Sequence, residues 1–300
     1  MKTCKVGTVI ILALAFAAFP SGVLYAKKRA PQNPQSNAPA AANPKDPGGH
    51  SAKGFEAAKK RDYETAIAEF TKATEAEPKD AKNYFNRGTA YRGVNKMNEA
   101  IADYTKAIEI DPKHVQAYVG RGEVLLVQKQ LDQAVADFDK AIQIAPNDAN
   151  ARRFRGFAFV SKGEWQKAIE DYSVVIQRVP NDAGAYERRA FAYRNLKKFK
   201  EAIADYTKAI AIDPKDLEGY RHRAVAHTMA GDNKNAEADL RAILKIKPDD
   251  VDAQARLKAL EPHATNPVPP TAATPLTTAP APVTKPGTSP AMAPPGATPR

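Results

Sequence analysis

The residues able to do chemistry are few, and their spacing argues against catalysis. Five histidines are the candidate metal ligands and proton carriers: His50, His114, His222, His227 and His263. His222 and His227 are five apart, about 140° round a helix, so they cannot share a metal as an i, i+4 pair does. The one cysteine, Cys4, precedes an apolar run near the start of the chain. Beyond that run there is no thiol for nucleophilic attack, for a disulfide or for a cysteine–zinc site. No glycine loop of the kind that cradles phosphate occurs. Carboxylates are plentiful, but they return at fixed intervals, whereas a catalytic pair is needed once. The sequence predicts no catalytic residue, no metal and no cofactor.

What does recur is ionic. Arg87, Arg121, Arg155, Arg189 and Arg223 are spaced 34 apart, and sixteen residues after each comes Asp103, Asp137, Asp171, Asp205 or Asp239; Glu69 holds the acidic place at the front of the series. Each charge sits three or four residues from apolar positions, inside a helical stripe. The spacing predicts that each Arg meets an acid across two helices, in the same unit or the adjoining one, and so fixes their register. The functional alternative is a row of arginines lining a ligand groove.

The elements that position these charges are set by the 34-residue period. Pro78, Pro112, Pro146, Pro180, Pro214 and Pro248 keep it, and Glu99–Ile108 and Glu201–Ile210 are the same ten letters, EAIADYTKAI. A fixed period of this length means a stack of one supersecondary unit. With the proline counted as position 32, Tyr84, Gly88 and Tyr91 mark one amphipathic helix, and Ala100, Tyr104 and Ala107 mark a second. The period breaks near positions 14 to 17, so the unit is a helical hairpin. Glycine at position 8 (Gly54, Gly88, Gly122, Gly156) costs about 1 kcal/mol in a helix, which predicts close approach of another backbone there. The proline ends each second helix. Asp80, Asp148, Asp182, Asp216 and Asp250 follow as N-caps for the next helix, while His114 in that place predicts a looser start.

This pattern of a small residue at 8, a large one at 11, Ala at 20, an aromatic at 24, Ala at 27 and Pro at 32 resembles the tetratricopeptide repeat family. The resemblance covers about 200 residues. It departs at the ends, with Ala57 at position 11 of the first unit and His227 and Ile243 at positions 11 and 27 of the sixth. It implies an all-α fold, an α-solenoid of six repeats (47–80, 81–114, 115–148, 149–182, 183–216, 217–250) with a capping helix at 251–261. It also implies a concave face, lined by positions 2, 5, 9, 12 and 13 of the first helices, that binds peptides or proteins. In the second and third units these places hold Lys82, Phe85, Thr89, Arg92, Val119, Glu123 and Leu126. In the fourth to sixth they hold Arg153, Phe157, Glu187, Phe191, Arg194, Arg221, Val225 and Met229. The mix is apolar with a basic excess, which favours a partner segment with apolar anchors and acidic flanks. The family's groove for a terminal carboxylate wants Lys at 5 and Asn at 9, then Asn at 6 of the next unit. Here Ser51 and Phe55 stand in the first two places and only Asn86 matches, so that activity is not expected.

The flanks read differently. Lys2 and Lys5 precede the apolar run Val6–Phe19, and Leu24-Tyr25-Ala26 offers a cleavage site, so 1–26 reads as a signal peptide and the protein as exported to the periplasm or cell envelope. Retention of Val6–Ala26 as an inner-membrane anchor of an assembly factor is the alternative, and membrane contact is expected only then. Residues 27–49 are a Pro/Asn/Ala linker, and 262–300 a Pro/Ala/Thr tail with 12 prolines and no acid; both read as disordered. The net charge of +11 raises anionic-polymer binding as a third class. Lysines and arginines are interleaved with acids along the repeats, which is poor material for a phosphate track, so no nucleic acid is expected. The sequence as a whole predicts a non-enzymatic scaffold.

Overall fold

A computed structural model describes residues 48–260. They form thirteen α-helices: α1 (His50–Lys59), α2 (Tyr63–Ala76), α3 (Ala81–Gly93), α4 (Met97–Ile110), α5 (Val115–Val127), α6 (Leu131–Ile144), α7 (Ala149–Lys162), α8 (Trp165–Arg178), α9 (Ala183–Asn195), α10 (Phe199–Ile212), α11 (Leu217–Met229), α12 (Asn233–Ile246) and α13 (Val251–Leu260). Among the described residues there is no strand, and no helix is long and apolar enough to cross a membrane. The expected leader, most of the linker and the tail lie outside the described residues.

Each hairpin turns in the same way. Position 15 is left-handed in all six units: Arg61, Asn95, Lys129, Gly163, Lys197 and Gly231, with φ between 59° and 80°. The N–H of position 16 then donates to the carbonyl of position 11, for example Lys198 to Tyr193 at 2.9 Å. This six-to-one bond satisfies a carbonyl that the helix end would leave open, and it fixes the exit direction.

The next helix starts on a cap. Asp80, Asp148, Asp182, Asp216 and Asp250 each accept a backbone N–H two or three residues on, at 2.7–3.2 Å. His114 also caps, through Nδ1 accepting from Ala117 N–H at 3.3 Å. The looser start expected there is therefore corrected to a capped start with a longer bond. Burial lowers the affinity of His114 for a proton, which keeps the ring in the form that can accept.

The core sits between the two helices of a hairpin and the first helix of the next. Ala66, Ala100, Ala134, Ala168, Ala202 and Ala236 at position 20 are fully buried, with Phe70, Tyr104, Phe138, Tyr172, Tyr206 and Leu240 at position 24 packed around them. The reason for glycine at position 8 is a ring, not a backbone. A Cβ at Gly54 or Gly122 would lie 2.7 or 2.6 Å from the ring of Phe70 or Phe138 in the same unit.

The ionic ladder is present in five rungs. Arg87, Arg121, Arg155, Arg189 and Arg223 each grip the Asp sixteen residues on through two parallel bonds of 2.6–3.0 Å, always within one unit. The remaining nitrogen of each Arg reaches back to position 25 of the preceding unit: Thr71, Thr105, Asp139, Ser173 or Thr207. One guanidinium thus ties three helices. The first unit has Lys53 in place of Arg, and its Glu69 is met by His50 and Lys72.

First helices of neighbouring units touch one another (α1 with α3, α3 with α5, α5 with α7, α7 with α9, α9 with α11), with no comparable approach of second helices. The stack therefore curves with the first helices on its inner side. At the far end α13 packs Leu257 and Leu260 against Leu240 and Ile243, and turns the Arg256–Asp252 pair to solvent. That is the capping arrangement expected of a terminal helix.

Candidate binding groove

The inner surface is built from one face of α1, α3, α5, α7, α9 and α11. Of the residues expected there, Lys82 and Met229 are exposed and the others are partly buried. Phe85, Val119 and Leu126 have a second role, because each packs against a core cluster. Thr89 bonds the buried Tyr104 hydroxyl at 3.3 Å. Phe157 and Phe191 lie under guanidinium groups: Arg188 stands 4.8 Å over Phe157, and Arg194 stands 4.8 Å over Phe191. Trp165 supports Phe191 edge-on from the neighbouring hairpin at 5.8 Å.

Most of the arginines counted into a basic excess are neutralised by the chain itself. Arg92 on α3 meets Glu123 on α5 at 2.5 Å. Arg153 on α7 meets Asp182, the cap of α9, at 2.5 Å. Arg221 on α11 meets Asp250 and Asp252, and also Glu218 at 3.0 Å. Position 5 therefore reaches the cap of the following first helix. In the fifth unit that position is Glu187, which faces Asp216 instead of answering it. Burial, then the Asp216 charge, push the Glu187 carboxyl up to about 7, against the pull of Arg188. Burial also raises Glu123 above its ordinary value, opposed by Arg92.

A residue family that the sequence reading passed over is position 6. Phe154 stacks on Phe138 at 5.8 Å, His222 stacks on Tyr206 at 5.7 Å, and Gly120 leaves its space to the Tyr104 ring. Each packs on the position-24 aromatic of the unit before. The available signal was the presence of Gly120, Phe154 and His222 at one position of the repeat. Phe55 and Val127, 42% and 52% exposed at positions 9 and 13, also belong to the inner face and were not among the residues expected there. Among the described residues no cluster of His, Cys, Asp and Glu is arranged to hold a metal.

The family model of the ETO1 C-terminal domain matches residues 65–263, well over half the chain. The chain belongs to the ETO1 C-terminal domain family. With its six stacked hairpins it is a tetratricopeptide-repeat protein, as the sequence pattern implied. No curated protein matches it in sequence. Among solved structures it is similar to YrrB, described as a tetratricopeptide-repeat protein with an unusual peptide-binding site. The identity is 25% and the TM-score 0.57, over 63% of this chain and 97% of that one. MamA from Desulfovibrio magneticus RS-1 is 20% identical with a TM-score of 0.55, over 57% of this chain and 97% of that one. Pseudomonas aeruginosa pilF is 15% identical with a TM-score of 0.62, over 72% of this chain and all of that one. The last two likenesses concern the fold alone.

For this member of the ETO1 C-terminal domain family, the groove is lined by apolar side chains and by charges, most of which are paired within the chain. Three of its four arginines, Arg92, Arg153 and Arg221, are bound to the chain's own acids, and the hydroxyls of Tyr172 and Tyr206 are buried. What it presents outward is apolar surface with a few unpaired charges, the composition of a binding face.

Proposed function

We propose that this protein is a non-enzymatic scaffold of the periplasm or cell envelope that holds a partner peptide or protein along the inner face of its repeats. The observation that carries this reading is the exposure of Phe55, Val127 and Met229 along the first helices of a stack whose other apolar side chains are mostly consumed in packing. Apolar side chains left exposed on a concave surface lose water only when something lies across them. The peptide-binding description of YrrB, similar over 97% of its own length, supports a peptide or protein as the partner. Arg92, Arg153 and Arg221 are already paired, which argues against a polyanion track.

Export rests on Lys2, Lys5 and Val6–Phe19. The mass of the chain from fractionated cells tests it. A start at Lys27 in the envelope fraction supports a free exported scaffold, an intact leader supports a membrane-tethered assembly factor, and a cytoplasmic chain overturns both. For binding, the test is capture from an envelope extract by wild type and by Phe157→Ala/Phe191→Ala of equal helicity. Partners held equally by both would refute the groove.

A further inference from the structure

The second and fifth units are near-copies at one place on the inner face, and they differ in one decisive residue. Both carry Ala-Tyr-Arg at positions 10 to 12, ending in Arg92 or Arg194, and both carry EAIADYTKAI in the second helix. Among the six units only these two have Arg at position 12. In the second unit Arg92 is answered by Glu123, at position 9 of the next first helix. Three units further on, the residue in the place of Glu123 is Val225. Arg194 is partly buried and has no carboxylate partner among the described residues; its guanidinium stands over the face of Phe191.

The hydroxyls beneath repeat the contrast. Tyr104 Oη is bonded to Thr89, whereas Phe191 stands where Thr89 would be, and Tyr206 Oη is fully buried with no hydrogen-bond partner. The Arg194 charge bears on both Tyr206 and His222. Glu187 is not the missing counter-ion. It lies seven residues before Arg194 on α9, about 10 Å along the helix, and faces Asp216.

We propose that the site between α9 and α11 takes a carboxylate from the bound partner, which docks on Arg194 in the place that Glu123 fills in cis for Arg92. A planar guanidinium stacked over an aromatic face is preset for a carboxylate, and Val225, at position 9 of the next first helix, gives the partner's neighbouring apolar group a surface. This rests on the scaffold reading and names the partner chemistry at one point of the groove.

The molecule supplies its own competitor. Val225→Glu should place a carboxylate on Arg194 as Glu123 does on Arg92, and so block the site without removing a core side chain. The probe is a set of dodecapeptides selected from a random phage library against the full chain, then synthesised with free or amidated C-termini. Binding is read by fluorescence anisotropy at low and high salt. The expected result is that selected peptides share Asp, Glu or a free terminus. Replacing that group by Asn, Gln or amide, or changing Arg194→Gln or Val225→Glu, should weaken binding roughly tenfold, with helicity and melting midpoint kept. Which replacement acts separates a side-chain from a terminal carboxylate. Peptides that need Phe157 and Phe191, yet bind Val225→Glu and the Gln-substituted forms as well as before, overturn this inference and leave the scaffold standing. Peptides indifferent to Phe157 and Phe191, or no selected peptide at all, remove both.

Discussion

Arg121 and Asp137 meet through two parallel bonds, Nε to Oδ2 at 2.8 Å and Nη2 to Oδ1 at 2.7 Å, sixteen residues apart and opposite one another across a hairpin. The Asp side chain is 8% exposed. Arg121→Leu would leave that carboxylate buried without a partner, which costs about 3–5 kcal/mol. Arg121→Leu/Asp137→Leu should recover most of the loss, because an apolar pair needs no solvation. Denaturant melts of the two variants check this, with Lys106→Ala, which breaks the exposed pair with Glu109, as a control worth about 0–1 kcal/mol. Equal losses in both Arg121 variants would refute the account.

The glycines at position 8 make a prediction opposite to helix propensity. Gly122→Ala gains about 1 kcal/mol of propensity, but its Cβ would stand 2.6 Å from Phe138 Cε1. Overpacking of this kind costs about 1–3 kcal/mol, so a net loss of stability is expected. A raised melting temperature for Gly122→Ala would show that the ring can move aside; in the fifth unit Ala190 holds this position, buried in one cluster with Tyr206.

The left-handed turns predict a gain. Lys197 holds φ at 59°, where the equivalent Gly163 and Gly231 sit without steric cost. Lys197→Gly should stabilise by up to about 1 kcal/mol, measured by the denaturation midpoint. Lys197→Val, branched at Cβ, should move it the other way.

Much of this was legible because it repeats. The Arg–Asp rungs followed from two series placed symmetrically about the turn. Position 25 was not legible, because Thr, Ser and Asp share that role and no single letter recurs. Glycine at position 8 signalled close approach, but what approaches is an aromatic ring and not the backbone expected, a distinction that helix propensity does not carry. The groove charge was misjudged for a different reason. Asp182 caps α9 with Oδ1 and accepts Arg153 with Oδ2, so one residue does two jobs of which its spacing reveals one.

Glu187 sets a pH dependence. Its carboxyl titrates near 7 in the folded chain against an ordinary value of 4.5. The unfolded chain releases the proton first, so stability is intact below pH 4.5 and falls as pH rises through 7. Glu187→Gln should therefore stabilise at pH 8, by at most about 2–3 kcal/mol, and be neutral at pH 4. Glu187→Arg should do so as well, by meeting Asp216 as Arg153 meets Asp182. Thermal melts across this window decide it.

His222 acts on the other side. Burial, helped by Arg194, Arg256 and Arg221, lowers its pKa from 6.5 to about 4. Here the unfolded chain takes up the proton first, so stability is full above pH 6.5 and is lost as pH falls towards 4. His222→Phe keeps a ring on Tyr206 and removes this loss. A melting curve of the variant as steep between pH 6.5 and 4 as that of wild type would contradict the assignment.

Every rung reaches back to the hairpin before it, never forward, and the first hairpin has no rung of its own. The array is therefore mechanically polar. Under tension, or in deuterated solvent, α1 and α2 should peel away first and expose their amides, while the segments behind them stay clasped. The leading end is a fraying edge, and the trailing end, sealed by α13, is the anchor from which the rod keeps its shape.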